Sequence, residues 1–162
     1  MTILDLLQDK DLHLLLISAF LGLLIGLERE INRKDPSLRT FTLISVGSCV
    51  FAMLSIRGVS GYPAADPTRI AAQIVAGIGF IGAGTIVRHR DGIRGLTTAA
   101  LMWATAGIGA AVGFSEITLA AQATLVILVA TFALNLLHSL IRFLRKEALP
   151  PRRHTPVSGE DE

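Results

Sequence analysis

Hydrophobic positions along this chain fall into five long runs, and most charged residues lie in the segments between them. A run of about 18 apolar residues can cross the roughly 30 Å hydrocarbon core of a membrane as a helix. The pattern therefore predicts an all-α membrane protein, a compact bundle of five transmembrane helices at about 12–28, 39–56, 69–87, 96–114 and 117–141. These helices define a transmembrane domain over 1–144, and a flexible cytoplasmic tail is expected over 145–162.

The cations are distributed unevenly between the two ends of these helices. Lys and Arg in short loops are retained on the cytoplasmic side of the membrane. At one end of the predicted helices, the only cations are Lys10, Arg57 and Arg69. The other twelve of the fifteen cations lie after the first, third and fifth runs: Arg29, Arg33, Lys34, Arg39, Arg88, Arg90, Arg94, Arg142, Arg145, Lys146, Arg152 and Arg153. This asymmetry predicts that the N-terminus is outside and the C-terminus is cytoplasmic.

Composition supports the membrane class and narrows the chemistry. The chain is 51% hydrophobic and only 17% charged, and its mean hydropathy is +0.58. Cys49 is the single cysteine, so an intrachain disulfide and a cysteine-based metal cluster are both excluded. The sequence contains no nucleophile triad, zinc-ligand spacing or Walker loop. We therefore expect no enzymatic activity, metal site, cofactor or nucleic-acid partner.

The third run contains "GIGFIGAG", which has the G-x-G-x-x-G spacing of a dinucleotide-binding turn at Gly77, Gly79 and Gly82. A nucleotide-binding turn requires a preceding strand and an acidic residue about 20 positions further on. The residues before this segment are "IAAQIVA", and the sequence near position 100 has no acidic residue. Nucleotide binding is therefore disfavoured, and close packing of a membrane helix is the preferred interpretation.

Small residues let membrane helices approach closely, and van der Waals packing drives their association in lipid. We expect the third helix to be central, packing with the first and fourth helices. An alternative is a local break in the third helix, as in transporters whose unwound backbone lines a binding site. Small-residue faces could also join protomers in a homo-oligomer. The predicted packing residues are Gly22, Gly26, Gly77, Gly79, Gly82, Gly84 and Gly107.

Three charged segments at the predicted cytoplasmic end, 26–30, 37–41 and 87–98, are called the rim. Arginines here anchor helix ends in the ordinary case. Glu28, however, is at the C-terminal end of a helix and Arg94 precedes an N-terminus, where the helix dipole disfavours each charge. We predict that Glu28 pairs with Arg94 or Arg39, and that Thr97 or Thr98 caps the fourth helix beside Gly95.

The same groups suggest an alternative, in which an anion binds at the helix N-terminus beside Arg94. The anion would be a lipid phosphate or an acidic loop of a partner. A magnesium site is less natural, because Mg²⁺ prefers carboxylates and water whereas this end is rich in cations. Cation transport is weakened because the runs contain no acidic residue apart from Glu28 at a boundary, whereas transporters place such groups near the midplane.

Four segments, "GLLIGLERE", "LRTFTLISVG", "GIGFIGAGTIVR" and "IRGLTTAALMWATAGIGAAVG", resemble in the same order the signature segments of the MgtC/SapB family. The similarity covers roughly 12–140. It implies a multi-pass bacterial inner (plasma) membrane protein associated with growth in low magnesium and, in pathogens, with survival in host cells. The family is often labelled part of a magnesium transport ATPase, but its best-known members look like regulators of membrane partners, including ATP synthase.

The resemblance also implies which residues are functional. By the family's pattern, the functional positions of this chain are Glu28, Arg29, Arg39, Gly79, Gly82, Gly84, Arg94, Gly95, Thr97 and Thr98. Together with Arg88, the charged members form the expected cytoplasmic cluster. The chain is expected to be a short form without the C-terminal soluble domain of long members.

The combined expectation is a non-enzymatic regulator or interaction module linked to magnesium homeostasis, low-magnesium adaptation or virulence. It would act through the rim on a lipid head group or on another membrane protein such as ATP synthase. The alternative is a cation (Mg²⁺) transporter or channel component.

Overall fold

The computed structural model of the chain describes residues 9–36, 38–60, 62, 64–90 and 92–148. Within these residues it contains five helices and one β-hairpin. The elements are α1 (Lys10–Ile31), α2 (Leu38–Gly58), α3 (Arg69–Ala83), β1 (Val87–His89), β2 (Gly92–Arg94), α4 (Leu96–Gly113) and α5 (Ile117–Ala148). The predicted five-helix, all-α membrane architecture is confirmed.

Among the described residues, four helices are long and apolar enough to cross a membrane: α1, α2, α4 and the Ile117–Leu144 part of α5. The exception is α3, whose 15 residues rise only about 22 Å. The start of α3 nevertheless contacts the end of α2, and the end of α3 contacts the start of α4. Near the end of α2, Ser55 Oγ accepts a hydrogen bond from the Ala71 amide at 3.3 Å, while Gly82 lies against Ala99 in the first turn of α4.

The prediction that the third helix continues to 87 was wrong, because α3 ends at Ala83 and a hairpin follows. The helix is unbroken through Gly77 and Gly79. After it ends, the Thr85 hydroxyl donates to the Gly82 carbonyl at 2.7 Å. The hairpin pairs Val87–His89 with Gly92–Arg94 in antiparallel register. Gly92 has φ +133°, a conformation open to glycine because it has no Cβ.

The core forms around α2, which lies between α1 and α4. On the α1 side, the Ser18 and Ser45 hydroxyls share a buried hydrogen bond of 2.9 Å. A Cβ on Gly22 would lie 2.6 Å from the Ser45 Cβ, and one on Gly26 would lie 2.7 Å from the Leu38 Cα. Because neither glycine has a side chain, α1 and α2 can pack with their backbones close together.

On its other side, α2 contacts α4 through a second pair of glycines. A Cβ on Gly109 would overlap the Ser45 carbonyl oxygen, and one on Gly113 would lie 2.5 Å from the Cys49 carbonyl oxygen. Gly109 and Gly113 are both buried, as are Ser45 and Cys49. The central packing therefore joins α1, α2 and α4.

This arrangement corrects the expectation that the third helix is central. Only Ile78 and Gly82 of α3 are buried among the described residues. Apart from the adjacent residues and backbone of its own helix, no atom of the described chain lies within 4 Å of a Cβ built on Gly77, Gly79 or Gly107. Helical spacing identifies residues that share a face, but it does not say whether another helix covers that face.

The chain divides into two compact units, and the boundary lies inside α5, after Leu128. In the first unit, Ala120 and Thr124 of α5 are buried, and the Thr124 hydroxyl donates to the Ala120 carbonyl at 2.8 Å. The second unit begins at Val129 and continues α5 past its predicted end at 141 to Ala148. The remaining tail residues, 149–162, lie outside the described part of the chain.

Candidate functional site

Arg29, near the end of α1, is the buried member of the predicted charged cluster. Its side chain is only 7% exposed, and its Nη2 donates to the Thr98 hydroxyl at 2.9 Å. Its Nε atom is buried and has no hydrogen-bond partner among the described residues. An unsatisfied buried polar group costs about 1–3 kcal/mol. The contact with Thr98 thus ties the end of α1 to the start of α4 but leaves the guanidinium incompletely satisfied.

The first turn of α4 has a tightly constrained backbone. Gly95 is the N-cap of the helix and has φ +90°, and a Cβ on it would overlap the Thr85 carbonyl oxygen. Both the positive φ and the close approach favour glycine at this position. Thr97 and Thr98 lie inside the helix, so the prediction that one of them is the cap was wrong. Thr97 is exposed, whereas Thr98 is buried and bonded to Arg29.

Glu28 is half-buried next to Arg29 and takes part in ending α1. Its Oε1 accepts a hydrogen bond from the Asn32 side-chain amide at 2.8 Å. The same amide donates to the Glu28 backbone carbonyl at 2.8 Å. The Asn32 backbone amide also donates to this carbonyl, at 3.2 Å, so Asn32 closes the end of the helix with both its backbone and its side chain. Pairing of Glu28 with Arg94 or Arg39 stays a prediction.

The other three members of the cluster are exposed cations. Arg39 lies in the first turn of α2, Arg88 in β1 and Arg94 in β2. With Arg90 between the strands, the hairpin carries three exposed arginines. The rim therefore combines a buried contact, Arg29 with Thr98, and exposed arginines on α2 and on the hairpin.

A cavity of about 830 Å³ opens at the rim. Three ionisable side chains, Glu30, Asp35 and Arg39, line it together with Thr40, Thr85 and Met102. Two carboxylates do not make a cation site by themselves, and within the described ranges no group of three or more His, Cys, Asp or Glu residues is placed to hold a metal. The cavity therefore has both positively and negatively charged side chains in its wall, at the rim.

Sequence reasoning did not identify Gly109 and Gly113 as packing residues, although a signal was available. They form a G-x-x-x-G like that of Gly22 and Gly26, the spacing that brings two glycines onto one helix face. The burial of Arg29 had no comparable signal. A cation next to an apolar run normally extends towards the interface, and only the position of Thr98 shows otherwise.

Several apolar helices of membrane-spanning length, packed by small residues and with charge concentrated at their ends, define a multi-pass α-helical membrane protein. Residues 15–140 match the model of the MgtC family, so the chain belongs to this family. The resemblance to the MgtC/SapB family is confirmed, as is the location in the bacterial inner membrane.

Individual relatives agree with this assignment. A Protein MgtC from Salmonella typhimurium (strain LT2) is 40% identical over 148 residues, covering 91% of this chain and 58% of the relative. Protein SapB from Bacillus subtilis (strain 168) is 45% identical over 112 residues, covering 65% of this chain and 48% of the relative. An uncharacterized protein from Haemophilus influenzae is 45% identical over 122 residues, covering 71% of this chain and 51% of the relative. The chain thus spans about half the length of the curated relatives it matches, and no solved structure matches it.

Proposed function

We propose that this chain is a non-enzymatic regulator of the inner membrane, linked to magnesium homeostasis and virulence, that docks another membrane protein at the rim. The link to magnesium rests on membership of the MgtC family. ATP synthase is the first candidate partner, because family members resemble regulators of that complex. The proposal concerns the described helices and the hairpin, and not the parts of relatives that this chain does not match.

The observation that carries the proposal is the exposed basic hairpin. Arg88, Arg90 and Arg94 are all exposed. The base of the hairpin is held by Gly95 against the Thr85 carbonyl, and the adjacent first turn of α4 is held by Arg29. Three cations on a supported hairpin are complementary to an acidic loop, and such complementarity steers association and selects partners.

Transport receives less support from the same structure. Helices α2, α3 and α4 contain no Asp or Glu, and those of α1 lie near its two ends. Transporters usually place ionisable groups near the midplane of the membrane. The close approaches at Gly22 and Gly109 bring α1 and α4 into direct contact with α2. A conduction path would therefore have to avoid the centre of these three helices.

Photocrosslinking in living cells tests the docking proposal. A photoreactive amino acid replaces Arg90 in the hairpin, and a matched control places it at Glu116, an exposed residue in the turn between α4 and α5. Cells are grown in low magnesium and adducts are identified by mass spectrometry. We expect an adduct with a subunit of a membrane complex from position 90 and not from position 116. Identical adduct patterns from both positions would contradict docking at the hairpin.

A second measurement decides between regulator and transporter. The purified chain is reconstituted into vesicles that contain a Mg²⁺-sensitive dye. We expect the rate of Mg²⁺ entry to equal that of protein-free vesicles. Saturable entry that depends on the amount of protein would overturn the regulator in favour of the transporter.

A further inference from the structure

An apolar groove of about 650 Å³ runs between α2 and α3. On each helix the residues that line the groove recur every three or four positions, so they share one continuous helix face. Gly47 on α2 and Gly77 on α3 lie in these walls, and a Cβ built on either would have no atom of another described element within 4 Å. The missing side chains open the groove at its middle. Its other apolar walls include Leu43, Phe51, Ile74 and Ile81.

The groove meets the charged cavity at the rim. Thr40, in the first turn of α2, lines both of them. On the cavity side of Thr40 are Glu30, Asp35 and Arg39, all exposed. The apolar groove within the membrane thus ends in a polar cavity at the membrane surface. A phospholipid has the same arrangement, with its acyl chains inside the membrane and its head group at the surface.

We propose that the groove and the cavity together bind one phospholipid with a zwitterionic amine head group, a phosphatidylethanolamine. One acyl chain occupies the groove between α2 and α3. The phosphate binds the Arg39 guanidinium, and the ammonium binds the Glu30 and Asp35 carboxylates. The Thr40 hydroxyl lies at the junction, where the glycerol backbone passes from one to the other.

The charges favour this lipid over the alternatives. An anionic head group such as phosphatidylglycerol could also bind Arg39 through its phosphate, but it has no cation to pair with the Glu30 and Asp35 carboxylates. A helix of a second copy would suit the apolar groove but would leave the charged cavity unused. Since an acyl chain is already surrounded by hydrocarbon in the bilayer, selection must come from shape in the groove and from charge in the cavity. This inference does not depend on the proposed regulatory function.

Native mass spectrometry of the protein released from vesicles of equimolar phosphatidylethanolamine and phosphatidylglycerol tests the groove. Gly77→Leu fills the groove, whereas Gly79→Leu adds the same side chain on α3 at an open position that does not line it. We expect wild type and Gly79→Leu to retain one phosphatidylethanolamine, and Gly77→Leu to retain roughly tenfold less, about 1.4 kcal/mol in binding free energy. Equal retention by both variants, or equal loss, would overturn the proposal.

The cavity is tested by neutralising its two carboxylates in the double variant Glu30→Gln/Asp35→Asn. With Arg39 left alone, the bound lipid is expected to change from phosphatidylethanolamine to a mixture rich in phosphatidylglycerol. Glu116→Gln removes one carboxylate at the opposite end and should leave the preference unchanged. A wild-type protein without a head-group preference, or a double variant that keeps the preference for phosphatidylethanolamine, would contradict the assignment.

Two further readouts cover the other outcomes. If Gly77→Leu does not fold, a phosphatidylethanolamine with a photoreactive acyl chain is crosslinked to the wild-type protein. Adducts concentrated on the groove residues of α2 and α3 support the site, whereas adducts spread evenly over all exposed helix faces contradict it. Loss of a dimer peak on Gly77→Leu would show that a second copy fills the groove, and would also overturn the proposal.

Discussion

Alanine at Gly109 and alanine at Gly107 should differ in their effect on stability, although both residues lie in α4 with one residue between them. A Cβ at 109 would overlap the Ser45 carbonyl oxygen, whereas a Cβ at 107 would have no atom of another described element within 4 Å. Replacing glycine by alanine inside a helix gains up to about 1 kcal/mol from helix propensity. Overpacking typically costs about 1–3 kcal/mol, and only Gly109→Ala incurs it.

Because the propensity gain is common to both variants, the difference between their free energies of unfolding equals the packing cost. We expect Gly107→Ala to be neutral or more stable than wild type, and Gly109→Ala to be less stable than Gly107→Ala by about 1–3 kcal/mol. Unfolding is followed by circular dichroism in mixed detergent micelles of increasing denaturant fraction. Equal stabilities of the two variants would refute the packing of α4 against α2 through Gly109.

Two other predictions concern the helix ends. Thr98→Val removes the partner of the buried Arg29 guanidinium, so we expect it to lower the free energy of unfolding by about 1–3 kcal/mol. Thr97→Val, an exposed change in the same helical turn, should leave it nearly unchanged, and equal losses would contradict the Arg29 contact. At the start of α3, hydrogen bonds from the Thr68 hydroxyl and backbone amide lower the pKa of Asp66. A lowered folded-state pKa means that the carboxylate stabilises this end above the unfolded-state pKa of about 3.9 and stops doing so as the pH falls through the folded-state value. The protection of first-turn amides of α3 against hydrogen exchange, corrected for the intrinsic rate at each pH, should therefore decrease on acidification in wild type but not in Asp66→Asn.

The helices themselves could be predicted from the sequence because membrane-spanning runs are long and free of charge. The described bounds of α1, α2 and α4 lie close to the predicted ranges. The end of the third helix was harder to predict, since Thr85, Ile86 and Val87 continue the run without charged residues. In the structure this stretch leaves the helix at Gly84 and leads into a hairpin, a change that hydropathy does not register.

Which helices pack against each other could not be predicted from the sequence. Gly77 and Gly79 have the small size and the helical setting typical of a packed face, but no other described helix covers them. Gly109 and Gly113, in contrast, are in close contact with α2. Glycine permits close approach but does not require it, so its presence alone identifies candidates. Which candidates are used depends on the partner backbone, here the Ser45 carbonyl, and that position is known only once the helices are assembled.

The most direct test of the regulatory account is growth in low magnesium with the hairpin charges reversed. The gene for this chain is deleted from the bacterium that encodes it, and the strain is supplied with wild type, with Arg88→Glu/Arg94→Glu, or with Arg69→Glu, which reverses an exposed charge at the start of α3, away from the hairpin. Membrane levels of the three proteins are matched. We predict that wild type and Arg69→Glu support growth and that the hairpin double variant does not. Full growth with the double variant at an equal membrane level would contradict docking through the basic hairpin.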